Sequence, residues 1–149
     1  MTADSTADQG KLNALYRDAM KAVYTAYPND ENVSTLYADA LMLMHPWDLY
    51  DHNFNAKPWT PEIVAVLKHT LQLNPKQPGA NHYYIHAVEA SAKPDNALNS
   101  AEFLASAMPD VSHLTHMPSH IYIRTGIYDK GITVNDQGVA GYKKYYHYF

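Results

Sequence analysis

A 34-residue offset recurs along this chain, separating Pro75 from Pro109, His82 from His116, His86 from His120, and Ala97 from Gly131. Self-similarity at a fixed period of this length marks a repeat architecture. Each unit is one hairpin of secondary structure that cannot bury its apolar face alone, so neighbouring units stack and share a continuous core. The period fails at one place, where Leu104 falls opposite Gly138.

Proline and glycine divide the sequence into pieces of helical length. Residues 8–26 place Leu12, Leu15, Tyr16, Met20, Val23 and Tyr24 at helical spacing and stop at Tyr27-Pro28. Residues 32–44 carry Leu36, Ala40, Leu41 and Met44 on one stripe and end at His45-Pro46. Segment 45–59, with Pro46, Pro58 and several Asp and Asn residues, reads as a long loop. Thr60-Pro61-Glu62 then opens a helix over 60–73, with Thr60 as N-cap and Pro61 at the first helical position. Further helices are expected over 79–91, 94–108, 113–125 and 128–146, joined by short turns, with no convincing strand. The predicted fold is all-α: about seven antiparallel helices in a single repeat domain over 1–149. A leading helix (8–26) precedes three hairpins at 32–75, interrupted by the 45–59 loop, at 78–111 and at 112–146. Pro118 fits in two ways. A helix starting at Ser112 would be kinked by it; a helix capped by Thr115 would take it in its first turn.

Thr125-Gly126-Ile127-Tyr128-Asp129-Lys130-Gly131-Ile132 resembles the turn between helix A and helix B of a tetratricopeptide repeat (TPR). Pro94-Asp95-Asn96-Ala97 and the closing Pro109 match the preceding unit. Two positions depart from the family: Pro118 replaces a large apolar residue, and Gly131 an alanine. Four strings are similar to a group of bacterial TPR proteins with a His-rich signature. They are Tyr37-Ala38-Asp39-Ala40-Leu41-Met42, Pro46-Trp47-Asp48-Leu49-Tyr50, Tyr84-Ile85-His86-Ala87-Val88-Glu89-Ala90-Ser91 and His116-Met117-Pro118-Ser119-His120-Ile121-Tyr122. The resemblance covers about 31–146. It implies a TPR-like α-solenoid whose A helices, over 32–44, 79–91 and 113–125, line a concave groove. It carries fold rather than an activity, and the family's usual role is that of a protein–protein interaction scaffold.

Five of the nine histidines fall between His82 and His120. His82 and His86 lie four apart and share a helix face, as do His116 and His120. The repeat offset puts the two pairs at equivalent places on neighbouring A helices. Such helices stand roughly 8–10 Å apart, and a metal–imidazole bond is about 2.0–2.1 Å, so ligands from both can meet at one ion. His82, His86, His116 and His120 are therefore the candidate metal ligands. Asp39, Glu89, His113 and Arg124 are candidate further members. Asp39 falls level with His86 and His120 when Tyr37 is placed against Tyr84. Glu89, Arg124 and His113 each lie one helical turn from a candidate ligand. A carboxylate there can ligate, fix an imidazole tautomer or act as a base. Imidazole and carboxylate without sulfur suit Zn, Cu, Fe or Ni. A closed four-His site would be structural, and one with an open position catalytic or transport-like. Spacing leaves both open, together with a groove for a peptide or small anion and with plain packing.

The chain has no Cys, so it has neither disulfides nor thiolate ligands. A net charge of -4 argues against nucleic acid. No apolar run approaches the roughly 20 residues of a membrane span, and residues 1–10 resemble neither a signal nor a transit peptide. Gly-x-Ser-x-Gly, a phosphate loop and His-Glu-x-x-His are all missing, and whether the protein is an enzyme stays open. His45, His69 and His147 read as ordinary satisfied histidines and His52 as a surface one. Trp47 and Trp59 read as anchors for the 45–59 insertion, whose length suits a lid over the groove. Residues 142–149 are too aromatic for a polar end, which predicts a protein partner or self-association through the solenoid ends.

Overall fold

Side-chain acceptors open three of the helices, satisfying backbone N–H groups that a helix N-terminus leaves unpaired. Asp8 accepts from the Lys11 amide and opens α1 (Gln9–Ala26). Asp30 accepts from the Asn32 and Val33 amides and opens α2 (Glu31–Leu43). Gln77 accepts from the Ala80 amide and opens α4 (Pro78–Val88). Between them, α3 (Thr60–Leu73) starts differently from expectation. Trp59 holds the N-cap position without a side-chain cap, and Thr60 is already helical. The Thr60 hydroxyl donates to the Leu49 carbonyl instead, tying the helix to the preceding loop.

The computed structural model describes residues 8–145. Beyond α4, a 3-10 turn (Pro94–Ala97) leads into α5 (Leu98–Ala107), followed by α6 (Ser112–His116), α7 (Pro118–Thr125) and α8 (Tyr128–Tyr145). Met117 joins α6 to α7 at φ -51° and ψ -38°, which is helical. The two are one rod, interrupted because Pro118 has no N–H to donate. Pro118 thus lies inside the helix, the first of its two sequence readings. Gly126 ends the rod at φ 78°, a left-handed conformation that glycine adopts without a Cβ penalty. The described residues therefore form seven helical rods and no strand, apart from an isolated bridge between Tyr50 and Ala56.

Each rod packs on the next, in chain order. α2 also touches α4, and α4 touches α7, so α2, α4 and the α6–α7 rod form one layer. Tyr37, Ile63, Leu67, Ile85, Leu104, Met117, Ile121 and Tyr122 are almost fully buried between the rods. Burial of such a side chain contributes about 1.5–3 kcal/mol, so the stack holds itself together through shared apolar faces. The break in the repeat pattern has a steric cause. A Cβ on Gly138 would stand 3.2 Å from the Ser112 carbonyl oxygen and 3.4 Å from the His116 Cβ. The missing side chain lets α8 approach α6 closely.

The insertion, residues 44–59, is fastened to the layer at several points. The Trp59 ring stacks on His45 at 3.9 Å, and its Nε1 donates to the Asp48 carbonyl. The Tyr50 hydroxyl donates to the Ala87 carbonyl of α4 at 2.9 Å. Asp51 folds the tip by accepting from the Asn53 and Asn55 amides. Trp47 departs from the anchoring role: it is 86% exposed, at φ 62°.

Candidate metal centre

His82 and His86 project from α4 on one face, and His113, His116 and His120 project from the α6–α7 rod against them. The five imidazoles close a circuit. Ring centroids are 5.0 Å apart for His82–His86, 5.3 Å for His86–His120, 5.0 Å for His120–His116, 6.4 Å for His116–His113 and 5.0 Å for His113–His82. The rod supplies three of the five because its residues at 113, 116 and 120 follow helical spacing across the Pro118 interruption.

Glu89, at the C-terminal end of α4, sets the protonation pattern. Burial alone would raise its carboxyl pKa, but hydrogen bonds from His120 and His86 overcome that and hold it at about 2. The carboxylate is therefore ionised and can only accept. It lies 2.9 Å from His86 Nδ1 and 2.6 Å from His120 Nδ1, so both imidazoles carry their proton on Nδ1. His116 Nδ1 sits 2.6 Å from Asn135 Oδ1 on α8 and donates in the same way. In their neutral forms His86, His116 and His120 then each present a lone pair at Nε2.

Two nitrogen–nitrogen contacts result. His116 Nε2 lies 3.1 Å from His120 Nε2, and His82 Nε2 lies 3.1 Å from His113 Nε2. Two imidazole ligands on one tetrahedral ion, each at about 2.05 Å, would stand about 3.3 Å apart. The observed spacing is close to that edge length. Desolvation lowers the His82 pKa to about 4, with His86, His113 and His120 adding repulsion, and lowers that of His113, with His86, His116 and His120 adding repulsion. These two rings are neutral at pH 7 and keep a lone pair for a ligand bond. His82, His86 and His113 offer ligand atoms within 4.8 Å of one another, as do His86, Glu89 and His120. The cluster can hold a metal ion. The 2.6 Å separation of Glu89 from His120 is a hydrogen-bond length, shorter than a ligand–ligand edge, so the carboxylate fits better behind the imidazoles than beside them.

The structure brings His82, His86, His116, His120, His113 and Glu89 together. Asp39 belongs to neither group of converging ligand atoms, but Asp39 and Arg124 line one cleft together with His86 and Glu89. Asp39 hydrogen-bonds with Tyr83, and desolvation raises its pKa. Arg124 is exposed at the rim of a cleft of about 330 Å³ under the insertion, whose lining includes Trp47, Tyr50, Asp39, His86 and Glu89. The Trp47 ring stands edge-on to His86 at 5.9 Å, so the insertion reaches one side of the circuit. The sequence gives no sign of Asn135: nothing in its spacing links it to His116, and it reaches that ring because α8 packs closely on α6 at Gly138 and Gly141. Of the other histidines, His45 stacks on Trp59, His69 meets Asn29 at 3.2 Å, and His52 is exposed. His147 lies outside the described residues. No described helix is long and apolar enough to cross a membrane. Comparison with known proteins finds no matching family model, no matching curated protein and no matching solved structure.

Proposed function

We propose that this protein is a TPR-type helical repeat protein whose inner layer binds a transition metal ion through its imidazole circuit. The 34-residue period and the layer formed by α2, α4 and the α6–α7 rod support the repeat assignment. One observation carries the metal reading: His116 and His120 are anchored at Nδ1 by Asn135 and Glu89 and turn their Nε2 atoms toward each other at 3.1 Å. Neutral rings so placed oppose two lone pairs, an arrangement that a shared proton or a metal cation relieves. A carboxylate or amide oxygen behind a metal-bound imidazole is the usual way to fix its tautomer and raise its basicity. The donor set is all nitrogen with a nearby carboxylate, which suits Zn, Cu, Fe or Ni.

Elemental analysis of protein purified without an affinity tag tests this. Metal is expected in the wild type and lost in the His86→Ala/His120→Ala double variant. Protein that stays metal-free, and that binds none of the four ions on titration, overturns the reading.

A second reading has its own support. The last hairpin exposes Ile123, Tyr128, Ile132, Val139 and Tyr142. Tyr128, Ile132, Val139 and Tyr142 recur at helical spacing on α8, forming an apolar stripe of the kind that marks an interaction surface. It suits a protein partner or self-association through this end of the stack. Sedimentation of the wild type against Ile132→Asp is the test: a concentration-dependent dimer that the substitution dissolves is expected, and a monomer at all concentrations counts against self-association.

A further inference from the structure

We propose that the imidazole circuit is a two-ion centre, with His82, His86 and His113 holding one ion and His116 and His120 gripping a second. This rests on the metal-binding reading above and goes beyond it in stoichiometry and in the inequality of the two positions. Ligand atoms around one ion with bonds of about 2.05 Å lie at most about 4.1 Å apart. His82, His86 and His113 bring ligand atoms within 4.8 Å of one another, within reach of one ion after small side-chain adjustments. His116 and His120 stand outside that group, although their own Nε2 atoms are 3.1 Å apart. Consecutive ring centroids 5.0–6.4 Å apart, in a circuit of five, make too wide a ring for one ion to meet every Nε2. The circuit contains two separate edges of coordination length, one at His82–His113 and one at His116–His120.

The two positions differ in their surroundings. At the His116–His120 edge both outer nitrogens are anchored, by Asn135 and by Glu89, so both rings are pre-oriented. At the other edge His113 is exposed, and the three ring nitrogens come from two separate elements. Beside His120 lies a cavity of about 390 Å³ between α7 and α8, lined by Ser119, Ile123, Tyr128, Ile132 and Asn135. An ion held by two imidazoles keeps open positions, and this cavity gives water or a small oxygen-donor anion access to them. The position with three imidazoles binds its ion more tightly than the position with two, because the third metal–imidazole bond outweighs the side-chain freedom lost in forming it.

Titration of the full, metal-stripped chain with Co(II), followed by native mass spectrometry and visible absorption, tests the proposal. The expected result is two ions per chain, bound in two resolved steps. His82→Ala/His113→Ala is expected to lose the tighter step and keep the ion at His116–His120. His116→Ala/His120→Ala is expected to lose the weaker step. Circular dichroism identifies any variant that has lost its helices; if one has, the single substitutions His113→Ala and His116→Ala replace the pairs. Saturation at one ion per chain, or two ions lost together from either variant, overturns the two-ion proposal and leaves metal binding standing. No binding of Co(II) or of the four ions above overturns both.

Discussion

Replacing Glu89 with Gln keeps the shape of the side chain and removes one of its two acceptor oxygens. The wild-type carboxylate accepts from His86 Nδ1 at 2.9 Å and from His120 Nδ1 at 2.6 Å. A glutamine offers one acceptor oxygen and one donor NH2. One imidazole keeps its Nδ1 proton. The other faces a donor, must present a lone pair at Nδ1, and moves its proton to Nε2. That nitrogen then points a proton into the circuit and cannot ligate. Loss of an outer partner of a metal-bound histidine typically lowers affinity 10–100-fold, which is about 1.4–2.7 kcal/mol. Glu89→Ala removes both anchors, and the same reasoning gives about 100-fold or more. Competition against a chromophoric chelator measures the affinity, and nitrogen NMR of the histidine side chains reads the tautomers. Unchanged affinity in Glu89→Gln would refute the argument, because the carboxylate would then not fix the tautomers. Complete loss of binding with intact helices would refute it in the other direction, by making Glu89 a ligand itself.

Three further perturbations follow from the packing. Gly138→Leu restores the residue that the repeat period asks for, yet its side chain would meet the Ser112 carbonyl and His116; a loss of about 3 kcal/mol or more is expected in urea denaturation, from overpacking. Tyr50→Phe removes the hydrogen bond to the Ala87 carbonyl; a cost of about 1 kcal/mol is expected, with faster proteolytic cutting within 44–59, and unchanged cutting would argue against this anchor. Asp39→Asn keeps an acceptor for Tyr83 and removes a charge that burial disfavours. The variant is expected to be more stable at pH 7 by thermal melting. Because the folded-state pKa is raised above the unfolded value, the wild type gains stability as pH falls through it. The difference between the two proteins should therefore shrink toward acid, and a difference that grows there would contradict the assignment.

Much of the fold was legible because its determinants are local. Proline and glycine end helices through their own backbone chemistry, so the boundaries near Pro28, Pro75, Pro109 and Gly126 could be read residue by residue. The spacing of apolar side chains located the helices but not every buried face: Leu15, Val23 and Leu36, on the expected apolar stripes, are exposed. Thr60 was misread because a threonine before proline is a good N-cap in isolation, whereas here its hydroxyl is taken by the Leu49 carbonyl. That competition belongs to the insertion, whose path no local rule supplies. Trp47 was misread for a similar reason. An aromatic in a loop suggests an anchor, but a left-handed backbone at φ 62° leaves the ring almost fully exposed.

The site divides along the same line. The i,i+4 histidine pairs and the period between them are local facts, and they placed four rings in one layer. The protonation pattern is not local. It depends on Asn135, which reaches His116 because α8 can lie against α6, and that approach depends on a glycine where the repeat pattern wants a large residue. A mismatch in the period, which by itself weakens the case for a repeat, is thus a condition for the geometry at His116. The departure at Pro118 has a related consequence. By lacking the N–H that would bond the Leu114 carbonyl, it frees the rod at the position where two of its histidines meet. Both departures from the repeat pattern lie beside the His116–His120 edge, and their effects on packing and backbone there are separable: Gly138→Leu displaces α8 and Asn135, whereas Pro118→Ala restores the missing hydrogen bond and leaves α8 in place. If the edge is a ligand pair, the first substitution should weaken metal binding through the loss of Asn135, and the second through a shift in the His116–His120 spacing while stability rises. Equal metal affinity in both variants and the wild type would show that the edge takes no part in binding.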